Sequence, residues 1–167
     1  MNKVIICIFL VVCMSTMTYA QEGFSAKAGF NNVTINADTG GFFDDSDSEL
    51  GLYFGGGYQF ILDDEFMLEP SLLFSFVDDL TSLYIPIMAK YEFAEGFTAQ
   101  AGPQINYLLE DLPDGEFGLD LAFGAGYRFD ENWFVEARYG FELSRGGDFG
   151  DVFDFNTLTV GAGYRFN

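Results

Sequence analysis

Carboxylates dominate the reactive side chains of this sequence: 26 Asp and Glu stand against seven Lys and Arg, and there is no histidine. Ser-His-Asp and Cys-His arrangements are therefore excluded. Both cysteines, Cys7 and Cys13, lie in the apolar N-terminal stretch, so the remainder of the chain offers no thiol nucleophile. Two carboxylates can act together as general acid and base. The runs "DDSDSE" and "GDFGDVFD" bring Asp44, Asp45, Asp47 and Glu49, and then Asp148, Asp151 and Asp154, close together in sequence. Oxygen ligands of this kind also suit hard cations, but the first run lacks the glycine of an EF-hand loop. Both runs read as solvated loop charge. "GAG" at 124–126 and 161–163 precedes no helical pattern and is no phosphate loop. A net charge of −19 excludes a nucleic-acid partner. The expectation is no catalytic residue, no cofactor and no metal site, and a surface hydrolase is disfavoured by the missing histidine.

A second set of charges is patterned differently. Five acids (Glu69, Glu92, Asp120, Glu136, Glu142) and five bases (Lys27, Lys90, Arg128, Arg138, Arg165) each sit in a stretch of alternating apolar and polar residues. "VEARYGFEL" at 135–143 puts Val135, Ala137, Tyr139, Phe141 and Leu143 on one face. Glu136, Arg138, Gly140 and Glu142 fall on the other, the period-two signature of a β-strand between unlike environments. Within it, Arg138 is flanked by Glu136 and Glu142 and reads as their partner, with Asp120 and Arg128 near it from the preceding segment. Arg145 reads as a loop residue.

The elements that must position these charges are strands. Eight alternating segments run 23–36, 50–61, 66–77, 82–93, 97–109, 118–129, 133–143 and 155–166. In the first, Phe24, Ala26, Ala28 and Phe30 hold one parity before Val33 and Ile35 switch to the other, which predicts a bulge near Asn31-Asn32. Pro70, Pro86 and Pro103 fall inside segments although proline cannot donate a ladder bond. Short connections ("LDDE", "AEG", "DEN") alternate with mostly longer ones. An even number of strands, with tight turns at one end and longer loops at the other, is the plan of an all-β, eight-stranded antiparallel up-and-down transmembrane barrel.

The aromatics choose between a soluble and a membrane barrel. Tyr58, Phe60, Phe66, Tyr91, Phe93, Phe97, Tyr127, Phe129, Trp133, Tyr164 and Phe166 fall beside the tight turns or near the C-terminus. They predict an aromatic girdle at one membrane interface, with the apolar face toward lipid. The ten interleaved charges then share a narrow lumen that side chains fill. "MNKVIICIFLVVCMSTMTYA" has the basic start, apolar run and small-residue end of a secretory signal peptide. Residues 1–20 therefore read as a cleaved leader and 21–167 as the barrel domain, exported to the outer membrane.

Seven stretches together resemble a known family: "AKAGFN" at 26–31, "LEPSLLFS" at 68–75, "YIPIMAKYEF" at 84–93, "AGPQINYLL" at 101–109, "LAFGAGYRF" at 121–129, "VEARYGFEL" and "LTVGAGYRF" at 158–166. In this order they resemble the PorT-like outer-membrane β-barrel domain of Bacteroidetes-type bacteria. The resemblance implies an outer-membrane location and no shared catalytic residues, and makes Pro86 and Pro103 usual. It also likens the end "YRFN" to the Tyr-x-Phe signal read by the barrel-insertion machinery, carried by Tyr164 and Phe166, with Asn167 beyond it. The expected partners are outer-membrane lipid and lipopolysaccharide, that machinery, and an envelope protein the sequence does not identify. The expected role is structural or interactive, including support of secretion or surface contact. The alternative is a narrow pore for small solutes or ions.

Overall fold

The computed structural model describes residues 23–37, 45–78, 80–109, 117–145 and 153–166. Alternation is converted into strands nearly where the sequence places them. The strands are β1 (Gly23–Ala37), β2 (Asp45–Ile61), β3 (Phe66–Val77), β4 (Leu80–Ala94), β5 (Phe97–Leu108), β6 (Phe117–Arg128), β7 (Trp133–Arg145) and β8 (Phe153–Phe166). Each pairs antiparallel with the next, and β8 returns to β1 to close the barrel. The seam runs from Phe24 opposite Phe166 to Ala37 opposite Phe153. Closure matters because an open edge would leave backbone N–H and C=O groups unsatisfied in hydrocarbon. The shortest strands have 12 residues. At about 3.3 Å per residue and a tilt of about 40°, such a strand rises about 30 Å, the thickness of a bilayer core.

Burial is inverted relative to a soluble protein. Phe24, Leu52 and Phe123 are 64%, 58% and 51% exposed, whereas Asn31, Glu69 and Asp120 are fully buried. The outer rings touch along the turn end: Phe24 meets Tyr58, Phe66 meets Tyr91, Phe97 meets Tyr127, and Trp133 meets Tyr164, with centroids 5.3, 4.8, 4.4 and 5.1 Å apart. Outer aromatics are not confined to that end. Phe54 stacks on Phe76 at 5.6 Å and Phe123 meets Tyr139 at 5.7 Å farther along the strands.

Two expectations are corrected. First, β1 carries no bulge: its register with β2 and with β8 is unbroken through Asn31 and Asn32. Val33 stays on the inward parity: toward the loop end apolar side chains join the polar lining of the lumen, and Val33, Val77 and Leu108 border a small cavity there beside Arg145. The register shifts lie instead between Glu92 and Ala94, and between Leu119 and Asp120. Second, Arg145 belongs to β7 and is buried.

The prolines sit within the ladders without a register shift. Pairing lapses opposite each of them on one side, at 58–59 with 69–70, 71–72 with 85–86, and 87–88 with 102–103, and resumes in the same register. On the other side each proline is paired: Pro70 with Ile87, Pro86 with Gln104, Pro103 with Leu121. A strand residue points its N–H at a single neighbour, so a missing donor breaks one ladder and leaves the other intact.

Glycines make room inside. A Cβ on Gly161 would run into the Tyr53 hydroxyl, and one on Gly163 into the Phe134 ring. Two bulky lumen side chains thus depend on bare backbone across from them.

Candidate functional site in the barrel lumen

The lumen is built in tiers, each supplied by inward positions of several strands. At its middle, Lys27 from β1 and Lys90 from β4 face Glu69 from β3 and Glu136 from β7. Lys27 Nζ contacts Glu69 Oε1 and lies 3.0 Å from Glu136 Oε1. Lys90 Nζ lies 3.0 Å from Glu69 Oε1 and 3.3 Å from Glu136 Oε2. Two cations and two carboxylates form a closed square, with all four side chains at most 7% exposed. Such burial is tolerable only because every charge has opposite partners. The Phe134 ring lies beneath both ammonium groups, each 5.6 Å from its centroid.

Arg138 stands beside this square. Its Nη2 is 3.7 Å from Glu136 Oε1, and its guanidinium nitrogens have no hydrogen-bond partner among the described residues. It is not the hub that its position between Glu136 and Glu142 suggests. Arg145 instead donates from Nε to Glu142 Oε1 at 2.6 Å, and the Phe155 backbone N–H donates to Glu142 Oε2. The Arg145 guanidinium also lies 4.2 Å over the Phe155 ring. This group sits at the loop end, where the remaining cavity measures about 20 Å³.

Between the two charged tiers the lumen is filled by Tyr53, Leu73 and Tyr84, which pack together. Asn31 donates to Ser75 Oγ at 2.8 Å and to the Tyr84 hydroxyl at 3.4 Å. Asp120 accepts from Gln104 Nε2 at 2.8 Å. Among the described residues it forms no ion pair, so the pairing of Asp120 with Arg138 does not occur. Glu92 and Arg128 pair with each other at 3.0 Å at the turn end, both partly exposed. Arg165 donates to Gln59 Oε1 at 2.6 Å. The ten charges thus form separate groups along the lumen and not one continuous network.

Below the square the lumen opens toward the turns as a vestibule of about 440 Å³. It reaches Lys90, Glu136 and Phe134 at its inner end, and its mouth carries Asp63, Asp64 and Glu131. Tyr164 and Phe166 lie on the barrel's outer surface near this end, their rings 5.0 Å apart. Among the described residues no group of three or more His, Cys, Asp or Glu is placed to hold a metal ion. Asp44, Asp148 and Asp151 lie outside the described residues, as do the side chains of Asp45, Asp47 and Asp154.

Sequence reasoning missed Arg145 and the apolar lumen fillers. The signal for Tyr53, Leu73, Tyr84 and Phe134 was parity alone: each shares the inward register of its strand's polar residues.

Solved structures share this architecture. The attachment invasion locus protein Ail of Yersinia pestis matches with a TM-score of 0.56 at 16% identity, covering 88% of this chain and 100% of that one. Neisserial surface protein A matches with a TM-score of 0.55 at 16% identity, covering 85% and 95%. A de novo designed transmembrane β-barrel matches with a TM-score of 0.52 at 14% identity, covering 90% and 100%. At these identities the likeness is one of fold. No protein of curated function matches the sequence. The model of the outer membrane protein beta-barrel domain matches residues 4–166, and the chain belongs to that family.

Proposed function

We propose that the protein is a closed, side-chain-plugged barrel with a structural or interaction role in the outer membrane, and that it performs no catalysis. The observation that carries this reading is the filled lumen: among the described residues the Lys27–Glu69–Lys90–Glu136 square is packed across it, and the cavity bordered by Val33, Leu108 and Arg145 at the loop end measures about 20 Å³. On this reading residues 1–20 are removed on export. Tyr164 and Phe166 present the insertion signal, and the aromatic outer face seats the barrel among lipid and lipopolysaccharide. The PorT-like resemblance supports a role beside a secretion or surface-contact partner in a Bacteroidetes-type envelope. The test is conduction. Purified protein in a planar bilayer should pass no steady current, since an eight-stranded interior is occupied by side chains. Stepwise single-channel openings, absent from a denatured control, would overturn the plug and favour a narrow pore.

A further inference from the structure

The vestibule is blind and electrically ordered along its depth. Its mouth is acidic and exposed, with Asp63 and Asp64 in the 62–65 turn and Glu131 in the 130–132 turn. Its walls carry Glu92, Arg128 and Arg165, and its floor is Lys90, Glu136 and Phe134. Four of these interior charges are already committed: Lys90 and Glu136 to each other within the square, and Arg128 and Glu92 to each other. Arg165 differs. Its Nη2 donates to the neutral amide of Gln59, its Nε has no partner, and it forms no ion pair among the described residues. Its Cζ lies 5.9 Å from the Phe134 centroid, so it borders an apolar surface as well.

We propose that this vestibule binds a small zwitterion entering from the turn side, its carboxylate on Arg165 and its ammonium between Asp63, Asp64 and Glu131. A guanidinium that lines a vestibule without an ion-pair partner, beside an apolar ring, is a ready carboxylate receptor. A plain anion must pass the acidic mouth, and a plain cation meets the basic interior. A molecule with its two charges at opposite ends satisfies both. A volume of about 440 Å³ lies within the range of small-molecule pockets and suits a body the size of a short peptide. The site does not depend on whether the barrel conducts, so its test is separate from the bilayer experiment.

The test uses the full mature chain, isotope-labelled and refolded in a nonionic maltoside, which avoids competing zwitterionic headgroups. Triglycine, triglycinamide and N-acetyltriglycine are titrated while the Arg165 Nε–H and Gln59 side-chain signals are followed by NMR. Triglycine should shift them saturably. Each blocked analogue should bind at least about tenfold more weakly, the loss of one charge-assisted contact. Arg165→Gln should lower triglycine to the level of its amide. The double change Asp63→Asn and Asp64→Asn, confined to an exposed turn and leaving the fold intact, should lower it to the level of the acetylated peptide. Absence of saturable shifts, equal binding of the three peptides, or unchanged triglycine binding in the turn variant would overturn the proposal.

Discussion

Lys27 and Arg138 are both buried cations facing Glu136, yet their removal should have unequal consequences. Lys27 is shared between Glu69 and Glu136, and its replacement by Met leaves two buried carboxylates facing the single ammonium of Lys90. Breaking a buried pair this way costs about 3–5 kcal/mol. Arg138 is an additional cation beside a square that is already balanced, and its guanidinium is desolvated without hydrogen bonds. Arg138→Met should therefore change stability by less than about 1 kcal/mol, since an apolar side chain of similar length fills the space. On the opposite face, Tyr139→Arg drives a charge into lipid at about 2–4 kcal/mol near the midplane. Denaturant unfolding from lipid vesicles measures all three. If Arg138→Met proves as costly as Lys27→Met, the square is not the centre of charge balance.

At the scale of the element, all eight strands are recoverable from the sequence because period two survives in each, and the ends agree within a few residues. What escapes is whatever depends on register around the barrel. Lys27 in β1 and Glu136 in β7 are 109 residues apart, and only the stagger of the six pairings between those strands, closed by the two across the seam, brings them together. Val33 looks like a change of face because the lumen changes character along its length. Arg145 precedes Gly146-Gly147 and so looks like loop. The prolines leave their own mark on the elements. Amides that face a proline across the three lapses, at 58, 71 and 87, should exchange with solvent deuterium faster than those of the unbroken β5–β6 ladder. Hydrogen exchange on the folded barrel in detergent checks this, and equal protection in both regions would show that the lapses are filled by other bonds.

At the scale of the whole molecule, the inversion of burial decides where the protein can live. A surface that exposes rings such as Phe24, Phe93, Phe129 and Phe166 is insoluble as a free monomer. On fractionation of the native cell, the protein should sediment with the outer membrane and be released by detergent alone. Recovery in the soluble periplasm without detergent would remove the basis for every lipid-facing assignment.

The seam between β1 and β8 carries a further consequence, for assembly. The first strand synthesised is bonded to the last, with Phe24 opposite Phe166. Every other pairing in the barrel joins strands adjacent in sequence and can form as a local hairpin. The seam alone must wait until all eight strands are present, and such non-local contacts are slow to form. Until it closes, β1 and β8 are two open edges that hydrocarbon cannot satisfy. A chain shortened before β8 should therefore stall at the membrane surface and not insert as a seven-stranded remnant. Closure of the barrel thus rests on the fourteen residues of β8.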